Sequence, residues 1–193
     1  MAATGNILFS GVGGQGILLA SEVTAYALLA AGYDAKKSEV HGMAQRGGSV
    51  TAQLRYGDKV YSPIIEPGKA DILIAFEMME AARYLPYLHK ESKVIVNTQQ
   101  IKPPSVAMGQ VPYPVDVLDV IISKGIQVVS VDAFDIARDA GEVKAANIVM
   151  VGAMSAFLPM DVAVYENIIN TRIPERFREV NMKAFAAGRT ITA

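Results

Sequence analysis

Glycines at 11, 13, 14 and 16 follow an apolar run, Ile7-Leu8-Phe9, and precede a helical pattern that opens at Ile17. In a strand–turn–helix context this G-x-G-x-x-G spacing has a physical meaning. The first N–H groups of the helix point into the turn and carry the positive end of its dipole. Only glycine lets an anion or another backbone come so close. Gly11, Gly13, Gly14, Gln15 and Gly16 are therefore the candidate binding turn, for a phosphate, a carboxylate or a partner loop, with positive φ expected at Gly13. A dinucleotide would also suit. Its fingerprint wants an acid roughly 20 residues on for the ribose, and Glu39 could serve.

A second constellation is Val40-His41-Gly42-Met43-Ala44-Gln45-Arg46-Gly47-Gly48-Ser49. The plain reading is a surface loop. The functional reading is an interface or site loop: His41, Gln45 and Arg46 offer donors to a carboxylate or phosphate, and Gly42, Gly47 and Gly48 allow close approach. Arg46, planar and always charged, suits a two-pronged contact.

The missing chemistry narrows the choice. The chain has no cysteine, hence no thiolate nucleophile and no cysteine-held iron–sulfur cluster. Its two histidines, His41 and His89, lie far apart and form no zinc motif. There is no G-x-S-x-G elbow and no G-x-x-x-x-G-K-[ST] loop. No catalytic residue and no metal ligand is assigned, so redox chemistry would need another chain or a bound cofactor.

These residues must be positioned by a fold. Length, 193 residues, suits a single domain, 1–193. Strands are expected at 6–10, 33–39, 50–55, 70–76, 93–97 and 126–131, with 60–62 returning on 50–55 as a hairpin. Helices are expected at 17–31, 77–88, 115–124, 132–140, 144–158, 161–170 and 174–187. Four prolines, at 103, 104, 112 and 114, make 98–114 a loop. The fold class is α/β: a doubly wound, mostly parallel, Rossmann-like sheet with helices on both faces, a hairpin insertion and C-terminal helices. Both candidate loops fall at the carboxyl ends of strands.

The 144–158 helix is apolar nearly all round, so it is buried, in the core or between subunits. Met43, Met78, Met79, Met150, Met154 and Met160 fill the core or form an adaptable interface. Glu77, Glu80 and Arg83 read as a solvated helix face. Apolar residues make up 51% of the chain and charged ones 19%, which predicts an oligomer with apolar surface covered by another subunit. The net charge of −1 gives no pull toward nucleic acid or an anionic membrane. No apolar run is long enough to span a membrane, and the first six residues carry no signal-peptide features. A cytoplasmic protein is expected.

The strings Gly11-Val12-Gly13-Gly14-Gln15-Gly16-Ile17 and Ser38-Glu39-Val40-His41-Gly42-Met43-Ala44-Gln45-Arg46-Gly47-Gly48-Ser49 closely resemble the gamma-type subunit of the 2-oxoacid:ferredoxin oxidoreductases, above all its indolepyruvate branch. Ala75-Phe76-Glu77 and the 147–152 segment resemble the same family, and the likeness runs over about residues 5–190. The resemblance implies oxidative decarboxylation of an aryl 2-oxoacid to an acyl-CoA, with electrons passed to ferredoxin. It implies thiamine diphosphate, magnesium and [4Fe–4S] clusters on a large alpha subunit, coenzyme A as co-substrate, and a small subunit inactive alone. Gly11, Gly13, Gly14 and Gly16 would form the anion or partner turn, and His41, Gln45 and Arg46 would face the large subunit. Two alternatives stay open: the gamma subunit of a pyruvate or 2-oxoglutarate enzyme, and a free-standing NAD(P)-binding protein.

Overall fold

The computed structural model describes residues 4–42 and 48–192. The chain runs β1 (Gly5–Val12), α1 (Ile17–Ala30), β2 (Asp34–His41), β3 (Ser49–Gly57), β4 (Ala70–Ala75), α2 (Met78–Arg83), β5 (Leu88–Asn97), α3 (Pro104–Ala107), α4 (Val117–Ser123), β6 (Gln127–Val131), α5 (Ala133–Ala140), α6 (Ala146–Ser155), α7 (Val162–Arg172) and α8 (Glu175–Arg189). Two 3-10 turns, Leu85–Tyr87 and Val143–Ala145, complete it.

The six strands form one sheet in the order β2-β3-β1-β4-β5-β6. β3 runs antiparallel to both β1 and β2, while β1, β4, β5 and β6 pair in parallel. Five strands thus share one direction and β3 opposes them. The central strands are apolar on both faces because helices cover both. Ile7, Phe9, Ile72 and Ile74 join the larger core, with α1 and α5–α8, and Leu8, Leu73, Val94 and Val96 join the smaller one, with α2 and α4. Burying each such side chain stabilises the fold by about 1.5–3 kcal/mol.

The expected hairpin is corrected. The hairpin is made by β2 and β3, with Val40 opposite Thr51, and residues 60–62 form no strand. Both edges of β3 are already taken by β1 and β2, so no place is left for a return strand. Val60 instead donates its N–H to Asp34 Oδ2 at 2.9 Å.

Helix 77–88 is also shorter than expected. Pro86 has no N–H to continue the ladder, and the chain tightens into the 3-10 turn after Arg83. α6 settles its own alternative: Asn147 through Ser155 are all buried within this chain. Its crossing with α8 is backbone-close, since a Cβ on Gly152 would lie 2.2 Å from the Phe185 carbonyl oxygen and one on Gly188 2.0 Å from that of Val149. Met150 and Met154 are fully buried, and Met78 and Met160 nearly so, so these methionines are core rather than interface. Met43 lies outside the described residues.

Candidate functional site

Strand order reverses between β1 and β4: the chain winds outward from β1 toward β2 on one side and from β4 toward β6 on the other. In a sheet of this kind a crevice opens at that point, beyond the carboxyl ends of the strands. A cleft of about 490 Å³ lies there, lined by the Gly13–Gly16 turn, Phe76, Asn97, Gln99, Ile101, Phe134, Val143, Lys144 and Ala146.

The glycines have separate jobs. Gly14 (φ 107°) and Gly16 (φ 79°) hold the left-handed conformation; Gly13, expected to do so, does not. The turn closes with Gln15 N–H on the Val12 carbonyl at 3.1 Å and places its left-handed residue at Gly14, while Gly13 donates its N–H to the Gly48 carbonyl at 2.9 Å. A Cβ on Gly14 would meet nothing within 4 Å, so this residue faces open space. A Cβ on Gly16 would lie 2.5 Å from Asn147 Nδ2, and one on Gly11 2.8 Å from Phe76 Cβ. Gly11 and Gly16 therefore serve packing, and Gly14 keeps the mouth clear.

Gln15 acts as a staple. Its Oε1 accepts from Val12 N–H at 2.8 Å, and its Nε2 donates to the Phe76 carbonyl at 2.7 Å and to Gln99 Oε1 at 3.1 Å. Asn97 Nδ2 donates to the same Phe76 carbonyl at 3.2 Å, and Asn97 Oδ1 accepts from Ala133 N–H at 3.2 Å. The floor of the cleft is thus held rigid by two amide side chains from β1–α1 and β5. Helix α1 begins with no side-chain cap on Gly16 and no acid in its first turn. Its leading N–H groups are left to whatever sits at the turn. Among the described residues, the one charged side chain lining the cleft is Lys144. Amides, a positive dipole end and an ammonium group suit an anion; carboxamides and carbonyls around it suit a polar chain.

Sequence reasoning missed the wall beside the cleft. Glu77 and Glu80, read as solvated, are 1% and 4% exposed. Glu77 Oε2 caps α2 by accepting from Glu80 N–H at 3.2 Å, and its Oε1 accepts from Ile101 N–H at 3.1 Å and from the Tyr113 hydroxyl. Burial, and then this bond to Glu77, pushes the Tyr113 hydroxyl well above its ordinary value. Glu80 Oε2 accepts from Ser49 Oγ at 2.6 Å, and its Oε1 pairs with Arg83 at 3.1 Å. One short helix therefore anchors the 98–116 loop through Glu77 and the start of β3, next to Gly48, through Glu80. The only signal in the sequence was the Phe76-Glu77 string within the resemblance.

Of the second constellation, His41 ends β2 and Gly42 N–H donates to the Ser49 carbonyl at 3.0 Å. Gly48 meets Gly13, so the chain just before β3 lies beside the glycine turn. Gln45, Arg46 and Gly47 lie outside the described residues. Glu39 does not sit where a ribose-binding acid belongs. β3 separates β2 from β1, which puts Glu39 two strands, about 9–10 Å, away. It pairs with Lys37 at 2.5 Å instead.

The residues do not fit a resident iron–sulfur cluster or thiamine diphosphate. No thiolate is available anywhere in the chain, no G-D-G motif is present, and among the described residues no cluster of acids and histidines could hold a metal ion. Among those residues, too, no helix is long and apolar enough to cross a membrane.

Known proteins match this architecture closely. The indolepyruvate oxidoreductase subunit IorB of Thermococcus kodakarensis is 40% identical over 188 residues, covering 95% of this chain and 93% of that one. The subunit of the same name from Archaeoglobus fulgidus is 42% identical over 189 residues, covering 95% and 92%. In structure, the gamma subunit of a keto/oxoacid ferredoxin oxidoreductase from Geobacter sulfurreducens superimposes with a TM-score of 0.73 at 27% identity, covering 97% of both chains. Residues 6–191 match the family described as pyruvate ferredoxin/flavodoxin oxidoreductase. The chain belongs to that family, and it is a subunit of a 2-oxoacid oxidoreductase.

Proposed function

We propose that this chain is the non-catalytic small subunit of a cytoplasmic indolepyruvate:ferredoxin oxidoreductase, acting as one domain. The observation that carries the reading is the 40–42% identity, across nearly the whole of both chains, to subunits named for indolepyruvate. The complex would convert an aryl 2-oxoacid and coenzyme A to an acyl-CoA, passing two electrons to ferredoxin. Thiamine diphosphate, magnesium and [4Fe–4S] clusters would reside on the large alpha subunit, in line with the donor set of this chain.

The role of this chain is then to bind and position. The Gly13–Gly16 turn, the leading N–H groups of α1 and Lys144 offer an anion site for a phosphate of coenzyme A or an acidic loop of the large subunit. Gln45 and Arg46, which precede Gly48 in the sequence, would complete the contact with the large subunit.

The test is reconstitution. The purified chain is expected to show no turnover with indolepyruvate, coenzyme A and a viologen acceptor, and to form a defined, active complex with the large subunit. Turnover by the chain alone overturns the proposal. So does a complex that prefers pyruvate or 2-oxoglutarate.

A further inference from the structure

On one side the sheet ends at β2, whose inner edge is hydrogen-bonded to β3 and whose outer edge meets no strand among the described residues. Gly42 N–H donates to the Ser49 carbonyl at 3.0 Å, and antiparallel pairing alternates, so Val40, Ser38 and Lys36 spend their backbone groups on β3. The N–H and C=O groups of Ala35, Lys37, Glu39 and His41 therefore point outward, and no hydrogen bond reaches them from the described residues. Glu39 is an exposed residue although its side chain is only 28% exposed, so its bare part is backbone. Val40 beside it is 60% exposed. An open edge of this kind is a template for a further strand. The opposite edge, β6, is shorter: five residues against the eight of β2.

The side chains of β2 say which strand fits. A lysine on a free edge ordinarily repels a second chain, but here Lys37 is matched by Glu39 on the same face, at 2.5 Å. Consider a second copy of β2 laid antiparallel along the edge. Outward residues must then face outward residues, which leaves few registers. Centred on Lys37, the ladder sets Lys37 opposite Lys37 of the other copy. Centred on Glu39, it sets Glu39 against Glu39. Like charges directly opposite destabilise a sheet. Centred on Ser38, the ladder sets Lys37 opposite Glu39 at both crossings, Ala35 opposite His41, and Ser38 opposite itself. This register also uses the whole strand, and it lays the stem of Lys36 along the exposed Val40 of the other copy. The segment Lys37-Ser38-Glu39 is thus complementary to itself in the one register that the backbone and the charges both allow.

We propose that the outer edge of β2 is the interface between two copies of this chain, joined antiparallel about a two-fold axis at Ser38 into one continuous sheet. Up to about eight backbone hydrogen bonds would form, flanked by two crossed ion pairs between Lys37 and Glu39. These side chains are 23% and 28% exposed before pairing, on the face of the larger core to which Ala35 also packs, so salt screens them less than a fully solvated pair. β3 and β1 separate this edge from the glycine cleft, so pairing here leaves the cleft free. The inference goes beyond the proposed function and does not depend on it, because the edge and its charges belong to this chain alone.

The test uses the purified full chain and its complex with the large subunit. Sedimentation of the chain alone at about 100 μM is expected to give twice the 20.6 kDa chain mass. Lys37→Glu sets acid against acid at both crossings, and Glu39→Lys sets base against base; each should weaken self-association about tenfold or more. Mixed together, these two variants should pair with each other in preference to themselves, and both changes in one chain should restore the dimer. Ser38→Cys reads the register. In a non-hydrogen-bonded antiparallel pair the Cα atoms lie about 4.5 Å apart, within disulfide reach, and the chain has no other cysteine to compete. Mild oxidation should give a covalent dimer from Ser38→Cys and none from Lys36→Cys, whose two Cα atoms would be roughly 14 Å apart. A monomer at that concentration, a dimer indifferent to both single reversals, or a dimer that Ser38→Cys does not lock overturns the proposal. A lock that forms in the free chain but not in the complex assigns the edge to the large subunit and overturns it too. A complex that fails to oxidise aryl 2-oxoacids would overturn the proposed function while leaving these measurements intact.

Discussion

Asn147 Nδ2 donates to the Gly16 carbonyl at 3.3 Å, and a Cβ on Gly16 would sit 2.5 Å from that same nitrogen. The buried start of α6 is thereby locked to the first turn of α1, across most of the chain's length. This contact and the left-handed φ of 79°, not an anion, are what demand glycine at position 16. The anion-facing demand falls on Gly14, whose missing side chain opens onto the cleft.

The two glycines should therefore respond differently. Gly16→Ala combines left-handed strain with a clash against a buried amide and should cost about 2–4 kcal/mol. Gly14→Ala carries the strain alone, about 1–2 kcal/mol, and places a methyl group in the cleft. Denaturant unfolding should rank them in that order. In the reconstituted complex, Gly14→Ala should keep a near-native melt while weakening coenzyme A response or subunit affinity. Unchanged values in both would make the turn purely structural.

The Tyr165 hydroxyl is buried on α7 with no hydrogen-bond partner among the described residues, while its ring stacks on Phe185 at 5.2 Å. An unpaired buried hydroxyl costs about 1–3 kcal/mol. Tyr165→Phe keeps the stack and removes the orphan group, so it should stabilise the chain by ~1 kcal/mol. A measured loss of stability would mean the hydroxyl has a partner in solution, such as a bound water.

Tyr56 on β3 packs edge-on against Tyr33, with ring centroids 5.4 Å apart. Burial, and then the charge of Asp71, pushes its hydroxyl from 10 up to about 12. The folded value is above the unfolded one, so the fold favours the protonated phenol. Its contribution to stability is complete below pH 10 and is lost progressively as pH rises from 10 to about 12. Burial moves Tyr113 and Tyr165 in the same direction. Unfolding midpoints should therefore fall through that window as tyrosinate absorbance rises, and Tyr56→Phe should flatten part of the slope. A midpoint insensitive to pH there would count against buried phenols at these positions.

The parts of this fold legible from sequence are those whose signal is local. Ile7-Leu8-Phe9, the glycine spacing and Ile17 announce β1, the turn and α1 within a dozen residues, and the apolar runs of β4 and β5 do the same. The insertion of β3 between β1 and β2 was not legible. Alternation at 50–55 says that a half-buried strand exists, but its partners, Phe9 opposite Ala52 on one side and Val40 opposite Thr51 on the other, come from separate segments. Gln15 looked like a ligand because it stands in a binding motif, yet its amide is satisfied by Phe76 and Gln99, far along the chain. Glu80 and Arg83 form an i,i+3 pair that looks like a surface face from sequence; only the arrival of Ser49, Ile101 and Tyr113 buries the helix that carries them.

That buried helix supplies the last prediction. Glu77 satisfies three donors at once: the N–H of Glu80, the N–H of Ile101 and the Tyr113 hydroxyl. Glu77→Ala strands all three, one of them buried and two half-buried, and should cost about 2–4 kcal/mol. Glu77→Gln keeps one acceptor oxygen and should cost less, and Tyr113→Phe removes a single donor. If the Glu77–Tyr113 bond holds the 98–116 loop over the cleft, the double mutant should be less destabilised than the sum of the two singles, with a coupling of about 1–3 kcal/mol. The loop carries Gln99 and Ile101 into the cleft lining. Tyr113→Phe should therefore also speed amide exchange at those two residues while sparing β4, which the network does not need. Additive energies and unchanged exchange would mean that α2 merely packs beside the loop and does not hold it.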